Sequence, residues 1–173
     1  MKSKITSCNK IYLRKANQND VDFLTEMKND LGLQELLMCH QKNHSQLEIK
    51  EWIEKYESSK DSFLLVVCES NQKAVGYFSV QRFLSHHKTA YFGIAIHPDF
   101  QGLGYGKTAL FSFFEWANKE LGLRKVLLEV ASSNQRAITI YKKAGFREVG
   151  ILMKHFFTNH IYQDAVLMEK DIS

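Results

Sequence analysis

Apolar residues recur along this chain with two different periods, and the switches between them mark out its elements. Ile11-Tyr12-Leu13-Arg14 reads as a short first strand. Asn19 or Asp20 then stands where a cap belongs, ahead of a helix carrying Val21, Leu24 and Met27 on one face. The stretch from Gly32 to Asn43 shows neither period. Ser45 followed by Glu48 has the spacing of a capping box and opens a helix with Ile49, Trp52, Ile53 and Tyr56 inward. Residues 62–68 and 74–81 read as strands joined by the hairpin loop Glu69-Ser70-Asn71-Gln72-Lys73, and residues 90–96 as the next strand. Helical spacing returns with Leu103, Leu110, Phe113, Phe114 and Ala117, predicting a helix over about 104–120 that Gly122 stops. A buried strand over 125–131 follows, then a short helix over 134–144 ended by Gly145. Two last strands, 147–156 and 162–170, pair around Thr158-Asn159-His160.

Connections through helices allow parallel neighbours, whereas hairpins are antiparallel, so this order predicts an α/β fold with a mixed, mostly antiparallel central sheet flanked by helices. Composition narrows the picture without redirecting it. The 173 residues, 45% hydrophobic and 24% charged, with one proline and no low-complexity stretch, suit a single domain over 1–173. A net charge of +4 spread over mixed acids and bases offers no basic run interleaved with aromatics, so no nucleic-acid partner is expected. Cys8, Cys39 and Cys68 are isolated, without the close pairing of a zinc site, and read as thiols of a reducing compartment. The start Met1-Lys2-Ser3-Lys4 has no apolar signal core and no run approaches a membrane span. The expectation is a cytoplasmic protein with no membrane partner and no metal.

Chemistry concentrates at Gln101-Gly102-Leu103-Gly104-Tyr105-Gly106-Lys107, where three alternate glycines lie between the apolar run Tyr91-Phe92-Gly93-Ile94-Ala95-Ile96 and a helix. Glycines there let the backbone take unusual dihedrals and let a ligand approach the peptide groups. The first N–H groups of the helix and the positive end of its dipole then favour an anion, with a diphosphate the natural guest. A nucleoside-triphosphate loop is excluded, because Gly106-Lys107-Thr108 completes such a motif only if a glycine stands where Gln101 does. The dinucleotide fingerprint also fails on spacing.

These residues carry a resemblance. The run from Gln101 to Gly106 resembles the Gln/Arg-x-x-Gly-x-Gly/Ala signature of the GNAT superfamily of N-acetyltransferases. The downstream segments Leu128-Glu129-Val130-Ala131-Ser132-Ser133-Asn134 and Ala137-Ile138-Thr139-Ile140-Tyr141-Lys142-Lys143-Ala144-Gly145-Phe146 resemble that family's next strand and helix. The resemblance implies a GNAT-like fold in which the strand before the glycine turn and the strand after the helix splay apart. It further implies that acetyl-CoA is the co-substrate, its pantetheine arm pairing with backbone at Ile94, Ala95 and Ile96. Its pyrophosphate would rest on Gln101, Gly102, Leu103, Gly104, Tyr105, Gly106 and Lys107, with Asn134 touching the arm. Asn134 is alternatively a helix N-cap, and Lys107 alternatively a solvated surface cation.

Acetylation of an alkylammonium requires a base for its proton and an acid for the departing thiolate. By resemblance Tyr141 is the acid; the plain alternative is an aromatic that packs the helix onto the sheet. Glu129 is the base candidate, because a carboxylate within Leu127-Leu128-Glu129-Val130 is costly unless it faces a polar cleft. It stands twelve residues before Tyr141, as does a catalytic glutamate in some ribosomal-protein acetyltransferases of this superfamily. His97 reads as a turn histidine at the strand exit, and His86, His87 and His155 as weaker candidates still. Residues 31–45, 83–88 and 156–164 are expected to shape the acceptor site, with Glu26, Asp30, Glu35 and Asp164 available to attract an amine and Arg82, His86 and His87 to hold a nucleotide sugar. The segment 157–164 resembles the hairpin of the branch containing ribosomal-protein and spermidine acetyltransferases. The reading is therefore direct acetyl transfer to a primary amine of a small molecule: a polyamine, an amino sugar or a nucleotide-linked amino sugar. A protein N-terminus is the alternative acceptor, a non-catalytic acyl-CoA sensor is the alternative of another class, and a homodimer is allowed.

Overall fold

The computed structural model describes residues 11–158 and 160–173, so Cys8 and Asn159 lie outside the described residues. Among the described residues seven strands form one sheet in the order β1-β2-β3-β4-β5-β7-β6. They are β1 (Ile11–Lys15), β2 (Phe63–Glu69), β3 (Ala74–Leu84), β4 (Thr89–Ile96), β5 (Lys125–Ala131), β6 (Arg147–Thr158) and β7 (Ile161–Asp171). Every neighbouring pair is antiparallel except β4 and β5, which are joined by a helical crossover and run parallel. The mixed, mostly antiparallel sheet expected from the element order is the one observed.

Helices cover both faces. One face carries α1 (Val21–Asn29), α2 (Leu31–Leu36) and α3 (Gln46–Glu57), and the other carries α4 (Tyr105–Leu121) and α5 (Gln135–Lys143). Alternation along the strands separates two cores. Phe78, Val80, Phe92, Val126, Leu128 and Val130 point to α4 and α5, where Phe78 stacks on Phe113 with ring centroids 4.6 Å apart. Leu64, Val66, Cys68, Tyr77 and Ala95 point the other way, onto Leu24, Met27, Ile49 and Ile53.

Several local expectations change. Asp20, one of the two expected residues, stands at the N-cap position of α1, but its side chain makes no capping hydrogen bond to that helix. Asn17 caps a short 3-10 turn over Gln18–Asp20, and buried Asp20 accepts from Asn17 N and, through both carboxylate oxygens, from Arg14. Asp20 is thus committed to a bidentate ion pair, which outweighs a cap role on the helix behind it. The unread stretch contains α2, six residues that owe their helix to the Asp30 carboxylate accepting from Leu33 N at 2.7 Å. Within it, the buried Gln34 amide bonds Lys28 O, Lys42 O and Lys42 N, a tertiary staple with no periodic signature. The Ser45–Glu48 capping box forms as read, and the Ser45 amide together with Lys42 lowers the Glu48 carboxyl to about 2. Ile49 and Ile53 are fully inward, while Trp52 and Tyr56 are only partly buried. Leu103, grouped with the helix on spacing, lies in the turn before α4 and is 65% exposed.

Candidate active site

The parallel contact between β4 and β5 is short. Thr89, Ala90 and Tyr91 pair with Lys125, Val126 and Leu127, and there the two strands part. From Phe92 to Ile96, β4 stays bound only to β3; from Leu128 to Ala131, β5 stays bound only to β7. Among the described residues the edges facing each other across the opening therefore lack a strand partner, which is the splay that the resemblance implied. An extended chain can add to such an edge through main-chain hydrogen bonds, and Ile94, Ala95 and Ile96 line it.

At the end of β4 the chain turns through Pro98–Phe100 into the glycine run. Gly102 (φ 80°) and Gly104 (φ 90°) both occupy the left-handed region, where a Cβ is strained even though a methyl on Gly104 would meet nothing within 4 Å. Gly104 is the N-cap of α4 and no side chain caps the helix, so the turn leaves its N-terminal end to an anion. The arrangement fits a pyrophosphate. The side chains of the run act differently from one another. Gln101 donates to Ile96 O at 3.0 Å, tying the turn to the end of β4. Tyr105 points inward, buried, with its hydroxyl donated to Glu69; only its backbone belongs to the cradle. Lys107 is exposed in the first turn. Asn134 caps α5, its Oδ1 accepting from Ala137 N at 3.1 Å.

One residue here escaped the sequence reading. A methyl placed on Gly102 would lie 3.7 Å from a guanidinium nitrogen of Arg136, in the first turn of α5. Its charge next to a glycine three elements away is a tertiary fact. The only signal in the sequence was a cation two residues after Asn134.

Tyr141 is buried on α5 against Phe92 (centroids 6.5 Å apart) and Phe146 (5.5 Å). Burial alone pushes its hydroxyl well above the ordinary tyrosine value, so it stays protonated at neutral pH. Glu129 lies on the opposite face of the sheet. It lines a cavity of about 190 Å³ with Ser79, Gln81, Arg82, Tyr91, Phe92 and Gly93, on the side of the sheet that carries α1–α3. Phe92 thus lines the Glu129 cavity and carries its ring on the side of Tyr141. His155 Nε2 lies 3.1 Å from Glu129 Oε2. Arg82, at a bulge with φ 51°, places its guanidinium 5.1 Å from the Tyr91 ring centroid.

Three of the acids expected to attract an amine have local partners. Asp30 caps α2, and Asp164 accepts from Lys154 N at 2.7 Å. Glu26 sits 3.1 Å from His97 Nε2, and His97 caps the Pro98–Phe100 turn, the turn role read from sequence. His86 and His87 pack against each other, ring centroids 5.4 Å apart.

A family model for the acetyltransferase (GNAT) domain matches residues 10–147. The chain belongs to the GNAT acetyltransferase family. Among relatives, it is 28% identical over 156 residues to the spermidine N(1)-acetyltransferase of Vibrio cholerae, covering 90% of each chain. It is 31% identical over 124 residues to the Escherichia coli [ribosomal protein bS18]-alanine N-acetyltransferase, covering 70% of this chain and 82% of that one. The crystal structure of spermidine N-acetyltransferase from Vibrio cholerae in complex with CoA and spermine superposes with a TM-score of 0.88 at 27% identity, over 93% of this chain and 95% of that one. This GNAT protein is an N-acetyltransferase that uses acetyl-CoA as co-substrate. Among the described residues no helix is long and apolar enough to cross a membrane.

Proposed function

We propose that the acceptor is a polyamine, acetylated at a primary amine by direct transfer, with Glu129 as base and Tyr141 as acid. The observation that carries this reading is the opening between β4 and β5, with a carboxylate facing the cavity on one side of Phe92 and a protonated phenol on the other. The acceptor itself is supported by the relatives that act on spermidine and by the neighbouring structure that holds spermine.

In this reading the pantetheine arm pairs with the free edge of β4 at Ile94, Ala95 and Ile96. The pyrophosphate rests on the backbone of residues 101–107, with Arg136 and Lys107 supplying charge and Asn134 holding the entrance of α5. The ammonium gives its proton to Glu129, directly or through water, and the neutral nitrogen attacks the thioester carbonyl. The tetrahedral intermediate collapses with cleavage of the C–S bond; the departing thiolate takes the Tyr141 proton, and the second proton shed by the amide nitrogen passes through water to restore Tyr141, while Glu129 releases its proton to solvent. No acyl-cysteine is needed, since Cys68 is buried between the sheet and α1–α3, and Cys39 follows α2, outside both motifs. A single domain carries the whole reaction in the cytoplasm, where acetyl-CoA is at hand. Assembly beyond a monomer, a homodimer at least, is supported by a dodecameric spermidine N-acetyltransferase that superposes with a TM-score of 0.81.

The test is thiol release from acetyl-CoA with spermidine, spermine, amino sugars and an alanine-terminated peptide, after calorimetry has established cofactor binding. Turnover with the polyamines at least tenfold above the other acceptors is expected. Preference for the peptide would transfer the protein to N-terminal acetylation, and binding without release from any acceptor would make it an acyl-CoA sensor.

A further inference from the structure

The sheet order puts β7 between β5 and β6, so Glu129 on β5 and His155 on β6 should be two strands apart. They nevertheless meet at 3.1 Å because β6 is irregular. Leu152 pairs with Ala165 and Phe156 with Gln163, leaving Met153, Lys154 and His155 all opposite Asp164. Such a bulge re-aims a side chain at the expense of regular pairing. Lys154 takes the left-handed φ of 49°, uncommon for a residue with a Cβ, and its amide donates to the Asp164 carboxylate at 2.7 Å. The bulge is therefore pinned by a side chain of the strand it crosses.

We propose that His155 is a positioning residue for Glu129, and that the Asp164-pinned bulge exists to place it. This rests on the assignment of Glu129 as base. Nε2–H donates to Oε2, which fixes the carboxylate plane and leaves Oε1 to face the amine in the cavity. A carboxylate on a strand has two free χ angles before its terminal torsion, and its side chain here is 26% exposed, so a single partner decides where the free oxygen points. His155 is itself 43% exposed and needs the bulge to hold it over the strand. The other charged groups around the pair are Lys154 and Asp164 on the bulge and Arg82 across the cavity.

Side-chain geometry provides a discriminating test. The glutamine amide nitrogen falls near the position of histidine Nε2, whereas the asparagine amide nitrogen falls near Nδ1 and cannot reach Oε2. His155→Gln should retain kcat with spermidine within about twofold, while His155→Asn and His155→Ala should each lose about tenfold. The KM for acetyl-CoA should be unchanged in all three, since the cradle lies elsewhere. Asp164→Ala should lose kcat to the same extent as His155→Ala, and the double variant should lose no more than either alone. Full activity of His155→Ala, or equal behaviour of the Gln and Asn variants, would overturn the proposal, and additive losses would overturn the link through the bulge. Glu129→Gln measured alongside separates the two layers. A slow Glu129→Gln with a fast His155→Ala removes only the positioning role, whereas a fast Glu129→Gln removes the base assignment and the proposal with it.

Discussion

The two faces of the sheet are built by different means. On the α4/α5 face the site is made of backbone: left-handed glycines, an uncapped helix terminus and the open edge of β4. On the α1–α3 face it is made of side chains from strands far apart in sequence, with Glu129, Ser79, Gln81 and Arg82 meeting around one cavity. A backbone site tolerates change at exposed side chains and fails when a dihedral is lost. A side-chain site fails when one group, or the partner that orients it, is removed.

Perturbing each face separately tests that division. The largest effect is expected on the side-chain face. Glu129→Gln should lower kcat about 100-fold or more with calorimetric affinity for acetyl-CoA unchanged, since general-base catalysis contributes about 10²–10⁴. A matching loss of cofactor affinity would break the separation of the faces. Tyr141→Phe should lower kcat by about tenfold to 100-fold, with little change in melting temperature, because among the described residues the hydroxyl makes no hydrogen bond that folding would lose. A smaller effect is expected in the cradle. Arg136→Ala should weaken acetyl-CoA binding about tenfold at low salt and less at high salt, with kcat at saturation retained. Smallest is Ser45→Ala, which should cost about 1 kcal/mol of stability through the lost cap of α3, read as a lower thermal midpoint with unchanged kinetics.

Burial also sets an alkaline limit. Tyr77 and Tyr141 both have hydroxyls raised by desolvation. Each binds its proton more tightly folded than unfolded, so their contribution to stability is intact below the ordinary tyrosine value of about 10 and declines as pH rises past it. Urea midpoints measured from pH 8 to 11 should fall only over the upper part of that range, and a steady fall from pH 8 would assign the loss to other groups.

Local order was legible wherever a signal sits within a few residues. The Ser45–Glu48 box, the β5 bounds at Lys125 and Ala131, the stop at Gly122 and the glycine turn all depend on neighbours in sequence, so periodicity and turn chemistry suffice to find them. Glu129 was legible for a related reason, because a charge inside an apolar strand demands a polar exit. Asp20 was legible as the N-cap position of α1 but its capture by Arg14 was not, and α2 was missed because six residues are too few to display a period.

The sequence by itself determined the family, the strands, four of the helices and the glycine turn between β4 and α4. Each of these follows from local spacing or from a contiguous motif. Only the tertiary structure decided where β4 and β5 part, that Arg136 reaches Gly102, that Tyr105 turns away from the cradle, and that a bulge carries His155 to Glu129. Those facts depend on which strands neighbour one another and on how far a side chain reaches across them, quantities fixed by the packing of the whole sheet and absent from any short window of the chain.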